Sequence, residues 1–213
     1  MKAYNNGTAT EEEQRQLEVM LFQYGRYLTI ASSRENSELP SNLQGVWNNV
    51  NNPQWSSDYH MNVNLQMNYW PAYMNNLAET ARPMVNYIDD MRYYGRIAAK
   101  EYAGIESKEG QENGWLVHTQ ATPFGWTTPG WNYYWGWSPA ANAWMMQNVY
   151  DYYKFTKDET YLKEKIYPMS QFDHHSTQFQ PHTHMQFIHK WYVLSDASFY
   201  KLMHIELELP FFS

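Results

Sequence analysis

Residues 58–70 read DYHMNVNLQMNYW and place four amide side chains, Asn62, Asn64, Gln66 and Asn68, within seven residues, among aromatic and aliphatic neighbours. Whether this stretch is loop or helix decides where the regular structure on either side of it begins. In an extended segment, residues two apart face the same way, so His60, Asn62 and Asn64 would project as one polar row. Amides are common in loops, where they satisfy turns and exposed backbone groups, and that reading stands beside a functional one.

Upstream, residues 34–66 are dense in Asn, Ser, Pro and Gly and predict a long structured loop. Loops of that length inside compact domains are uncommon and usually functional. Before it, TEEEQRQLEVMLFQYGRYLTIASSR carries Leu17, Met20, Leu21, Tyr24 and Leu28 at helical spacing, which predicts a helix over 10–33. Thr10 and Glu13 form its capping box, and acidic residues fill the first turn, where the helix dipole favours them.

Downstream, the pattern predicts a short helix near 69–79, with Pro71 close to its first turn, and a longer one over roughly 80–103. Val85, Ile88, Tyr94, Ile97 and Ala98 make the longer one loosely amphipathic, and Gly104 stops it. A second long loop, 104–137, holds Trp115, Trp126, Trp131, Trp135 and Trp137. Pro139 opens a helix to about 156, and KDETYLKEKIYP predicts another ending before Pro168. Helix, polar and aromatic loop, helix, repeated, describes an all-α architecture whose loops gather at one end.

The chain has 213 residues, enough for one domain of ordinary size. It carries 10 Trp, 19 Tyr and 9 Phe, is 17% charged, and has a formal charge of −7. Flat side chains with a polar tip suit sites that stack on partly apolar ligands such as sugars, though they also fill ordinary cores. The acidic balance argues against nucleic acid and against a polybasic membrane anchor, because no basic stripe meets phosphates. Without cysteine there are no disulfides or thiolate metal sites. No apolar run approaches the ~20 residues of a membrane span. The start, MKAYNNGTATEEEQRQ, lacks the apolar core of a secretory leader, and localisation is not fixed by the sequence.

Four blocks resemble glycoside hydrolase family 95, the inverting α-L-fucosidases: residues 21–34 (LFQYGRYLTIASSR), 39–80, 114–144 and 150–168. The resemblance runs from about residue 15 to 168 and implies the opening part of an (α/α)6 toroid. The later helices and a preceding β-rich domain are missing from the stretch it covers. By that resemblance Asn64 is the amide that activates water and Asn62 its partner on the same water, while His60, His118 and Trp131 contact the sugar. Asp58 orients His60. A neutral amide oxygen accepts a hydrogen bond but cannot keep a proton, so the family sets an aspartate behind it and a glutamate on the leaving oxygen. The implied substrate is a fucosylated oligosaccharide or glycan with a terminal α-1,2-linked L-fucose, with no cofactor and no metal. A non-catalytic carbohydrate-binding protein and an α-L-galactosidase of the same family are the alternatives.

The pattern breaks near Met169. Residues 169–213 hold six of the eight histidines in a run with no helical or strand period, and no segment matching the family's general acid appears. His174, His175, His182 and His184 lack the carboxylate or thiolate spacing of a zinc site. The codons allowed for His175 to Pro181 can spell a family-like Pro-Ser-Phe-Ser when read one base later, so the expectation is two parts: a partial catalytic domain over 1–168 and an out-of-frame tail. Without the acid, this chain alone is expected to show negligible turnover.

Overall fold

A computed structural model describes residues 1–107, 112–128, 136–138 and 141–170. Trp131, Trp135, Pro139 and residues 171–213 of the expected tail lie outside the described residues. A single helical turn, α1 (Lys2–Asn5), leads to α2 (Glu11–Ser32). Thr10 caps α2 as its sequence requires: the Thr10 N–H donates to the Glu13 carboxylate at 2.8 Å, and the Glu13 N–H donates to Thr10 Oγ1 at 3.3 Å. The Thr10 N–H, with the Thr10 hydroxyl donating to the same carboxylate at 3.0 Å, stabilises the charged form and lowers the Glu13 pKa. Only Ser32 of this helix is buried, and Met20, Leu21, Phe22, Tyr24 and Tyr27 all face solvent.

The packed centre is built from α3 (Asn64–Met74), α4 (Arg82–Ala103) and α5 (Ala141–Thr156). The helix expected near 69–79 therefore begins inside the amide-rich stretch, and Pro71 sits in its interior rather than its first turn. The cause is the buried row Leu65, Tyr69, Ala72 and Tyr73, spaced i, i+4, i+7, i+8, which extends helical period upstream of the prediction. Each such large apolar side chain contributes roughly 1.5–3 kcal/mol on full burial, enough to outweigh the alternating polar pattern beside it. Hydrogen bonds then key α3 to α5. The Tyr73 hydroxyl donates to the Asn148 carbonyl at 2.7 Å, and Asn148 Nδ2 donates to the Gln66 carbonyl at 3.0 Å.

A turn at Ala78–Ala81 leads into α4, which ends at Gly104 in the left-handed conformation (φ 65°). Met84, Val85, Ile88, Met91, Ala98 and Ala99 face inward, but Ile97, expected on that face, is exposed. At Gly95 the following loop lies directly on the helix. The Leu116 N–H donates to the Gly95 carbonyl at 2.9 Å, and a Cβ on Gly95 would stand 3.0 Å from the Leu116 carbonyl oxygen. Asn142 on α5 fixes the same loop twice, accepting from the Val117 N–H at 3.0 Å and donating to the Trp115 carbonyl at 3.0 Å.

The last described segment runs as α6 (Glu159–Tyr161), a wider π turn (Leu162–Ile166) and α7 (Tyr167–Ser170). It thus passes Pro168, where a stop was expected. Pro168 is the second residue of α7 and follows directly on the π turn, where the regular helical ladder is already interrupted.

The two long loops are not independent. They meet in a small antiparallel sheet, ordered β1 (Tyr59–His60), β2 (Gln120–Ala121) and β3 (Thr127–Thr128). Tyr59 stands opposite Ala121, which stands opposite Thr127; His60 stands opposite Gln120. Tyr59, Ala121 and Thr127 are buried, so they form the core side, and the His60 and Gln120 side chains project from the other. The described residues are mostly helical, with this sheet as the exception to the all-α expectation.

Candidate functional site

Three consecutive non-glycine residues, Trp55, Ser56 and Ser57, hold positive φ (48°, 57° and 53°) immediately before Asp58. Such conformations cost of order 1–3 kcal/mol each and persist only where surrounding contacts impose them. Here Ser57 Oγ donates to Gln44 Oε1 at 2.6 Å, and the Leu43 N–H donates to the Asp58 carbonyl at 3.3 Å. The turn delivers the chain into β1 with Asp58 and His60 on adjoining positions.

Asp58 Oδ1 lies 2.8 Å from His60 Nε2, a charge-pair distance, and the Gln120 amide lies 3.2 Å from the same nitrogen. Asp58 Oδ1 is buried and makes no aligned hydrogen bond despite that distance, whereas the Gln120 amide is within hydrogen-bond reach of Nε2. Gln120, sixty positions away in the chain, carried no local signal in the sequence.

After His60 the backbone does not stay extended. It turns through residues 61–63 and enters α3 at Asn64. The Met61 N–H donates to the Thr119 carbonyl at 2.7 Å, and Gln66 Nε2 donates to the Met61 carbonyl at 2.6 Å. The expected row of alternate residues is thereby replaced: His60 sits on a strand, Asn62 in a turn and Asn64 in the first position of a helix, kept together by the turn.

The four amides divide into two kinds. Gln66 is fully buried and holds the turn, while Asn68 Nδ2 donates to the Asn42 carbonyl at 3.2 Å and tethers the preceding loop. Asn62 and Asn64 are exposed, and among the described residues their side chains make no hydrogen bond. Two amides therefore serve the structure, and two stand free at the head of α3, beside the Asp58 and His60 pair.

His118 was expected at the sugar. The structure places it in the core, 0% exposed, with its ring packed edge-on against Tyr102 (5.1 Å) and Trp137 (5.0 Å). The reason is the loop's path beneath β3. The His118 N–H donates to Thr127 Oγ1 at 2.8 Å, and Thr127 Oγ1 lies 3.3 Å from Nδ1. A hydroxyl donating to Nδ1 puts the ring proton on Nε2, which is buried without a hydrogen-bond partner among the described residues. Burial holds the ring neutral by pushing its pKa down to about 4. The tryptophan loop is mixed in the same way: Trp115 is buried and donates to the Met169 carbonyl at 3.0 Å, while Trp126 is exposed.

The family model for the glycosyl hydrolase family 95 catalytic domain matches residues 1–195. The chain belongs to glycoside hydrolase family 95. The match extends past Pro168 into the histidine-rich segment. A probable alpha-fucosidase A of Aspergillus niger is 39% identical over 156 residues, covering 72% of this chain and 18% of that protein. The alpha-L-fucosidase 2 of Arabidopsis thaliana is 36% identical over 151 residues, covering 70% of the chain and 17% of its own length. A probable alpha-fucosidase A of Aspergillus oryzae is 44% identical over 113 residues, covering 52% and 14%. The chain spans less than a fifth of the length of these relatives.

Proposed function

We propose that this chain is the water-positioning part of an inverting α-L-fucosidase acting on terminal α-1,2-linked L-fucose in oligosaccharides or glycans. The observation that carries the reading is the pair of exposed, unbonded amides Asn62 and Asn64 beside the Asp58 and His60 pair. In this reading Asn62 and Asn64 hold a water by their carbonyl oxygens against the anomeric carbon, and His60 takes a sugar hydroxyl. The water oxygen bonds to the anomeric carbon as the glycosidic C–O bond breaks. The departing oxygen takes a proton from a carboxylic acid, and the water's proton passes through the amide to a carboxylate behind it. Both carboxyl groups belong to later parts of an (α/α)6 toroid, whose remaining helices also cover the apolar side of α2. His118 supports this site from the core instead of touching the sugar. The described helices contain no segment long and apolar enough to cross a membrane, and the proposed partner is the glycan alone.

The test is a chimera in which residues 1–168 replace the matching part of the Aspergillus niger relative. Proton NMR of its reaction with α-1,2-fucosylated lactose should show β-L-fucose appearing first. Asn64→Ala should slow release by about 10²–10⁴-fold. A folded chimera that releases α-L-fucose first, or that is indifferent to Asn64→Ala, overturns the assignment.

A further inference from the structure

A cleft of about 390 Å³ opens between the C-terminal half of α4 and the start of β3. Its floor is one face of the helix: Tyr94, Ile97, Ala98, Glu101 and Tyr102, spaced i, i+3, i+4, i+7, i+8. Its other wall is Trp126 with the adjoining Thr127. Trp126 is 51% exposed and Tyr102 46%, so two large rings are held at the surface. We propose that this cleft is a second carbohydrate site, taking a neutral pyranose from the glycan that the amide site addresses. The substrate class rests on the function proposed above; the location does not.

The chemistry of the walls selects the ligand. A pyranose ring has a face of C–H groups bordered by hydroxyls, which matches a cleft with flat aromatic surfaces and one strong acceptor. Glu101 is the acceptor and the only charged residue among the described lining. No cation accompanies it there, so an acidic sugar would meet an unscreened carboxylate, and a neutral one would donate a hydroxyl to it. The Thr127 hydroxyl is already engaged by His118.

The Tyr102 ring and the Trp126 backbone are set before any ligand arrives. Tyr102 is braced edge-on by His118 at 5.1 Å and Trp137 at 5.9 Å. Trp126 follows a tight turn in which the Thr122 N–H donates to the Trp126 carbonyl at 3.0 Å and Gly125 takes a φ of 73°. Immobilised side chains lose little entropy on binding, which favours weak ligands such as sugars.

The experiment titrates the 213-residue chain with lactose and, separately, with L-fucose, following tryptophan fluorescence and saturation-transfer NMR. Lactose should bind the parent chain, about tenfold more weakly after Trp126→Ala and a few-fold more weakly after Glu101→Gln, each variant checked by circular dichroism. L-fucose should be unaffected by either change and weakened by Asn62→Ala. Lactose binding that survives both cleft variants, or L-fucose binding with no lactose binding, overturns the cleft. Lactose binding at the cleft with no L-fucose binding leaves the cleft standing and removes the amide-site reading; binding of neither sugar removes both.

Discussion

Gln66 and Asn62 carry the same head group four residues apart, and the fold uses them in opposite ways. Gln66 lies at zero exposure with its amide on the Met61 carbonyl, and Asn62 stands in solvent without a partner among the described residues. Their difference shows that an amide-rich stretch is not one device. The inward members fix the turn, and the turn presents the outward members. A related division separates His118, fully buried and neutral, from His60, which keeps a small exposed edge between Asp58 and Gln120. If it is real, inner positions should govern stability and outer ones should not.

The largest effect is expected from pH. His118 has a folded pKa of about 4 against an unfolded value near ~6.5, so between these values the unfolded chain binds the extra proton. Stability from this group is complete above ~6.5 and is lost as pH falls toward 4, by up to roughly 3 kcal/mol. Urea unfolding between pH 7 and 4 should show the loss. His118→Phe should flatten that part of the profile; an unchanged slope would mean that the ring titrates normally and is not in the core.

Gln66→Leu comes next. It leaves the carbonyl of fully buried Met61 without its donor, a cost of about 1–3 kcal/mol. Gln66 Oε1 is itself buried and unpaired, so removing it returns part of that cost, and a net loss of about 2 kcal/mol is expected in the urea midpoint. A neutral result would show that the turn holds by Met61 and Thr119 alone. Gly95→Ala should cost less, about 1 kcal/mol. A helix gains nearly that amount from alanine, but the new methyl would sit 3.0 Å from the Leu116 carbonyl and displace the loop that buries His118. Hydrogen exchange at the Leu116 amide is the direct measure, and exchange as slow as in the parent would remove the argument.

Much of the helical structure could be read in advance where a signal is local. The Thr10 and Glu13 cap and the helical spacing of α2 lie within a few residues of one another, and the structure follows them. The start of α3 was hidden because two periods overlap there: amides at every second residue, and Leu65, Tyr69 and Tyr73 at helical spacing. The apolar period prevailed because it is the one that buries surface. The sheet was invisible because strands of two residues have no period, and β1 finds its partner β2 about sixty residues away. His60, Asn62, Asn64 and His118 were all named through resemblance, and the burial of His118 could not be read because residue type says nothing about which side of a loop faces the core.

The smallest stability effect carries the most information about function. Asn62→Ala and Asn64→Ala remove exposed side chains that hold nothing in place, so each should move the urea midpoint by no more than about 0.5 kcal/mol. A residue that costs nothing to lose and yet abolishes sugar binding or hydrolysis has been kept free for a ligand. If either substitution instead destabilises the chain by 1–2 kcal/mol, that amide has an internal partner, and the contrast with Gln66 and Asn68 fails. Measuring both variants by urea unfolding before any sugar assay separates these outcomes, because the stability result does not depend on which glycan is supplied.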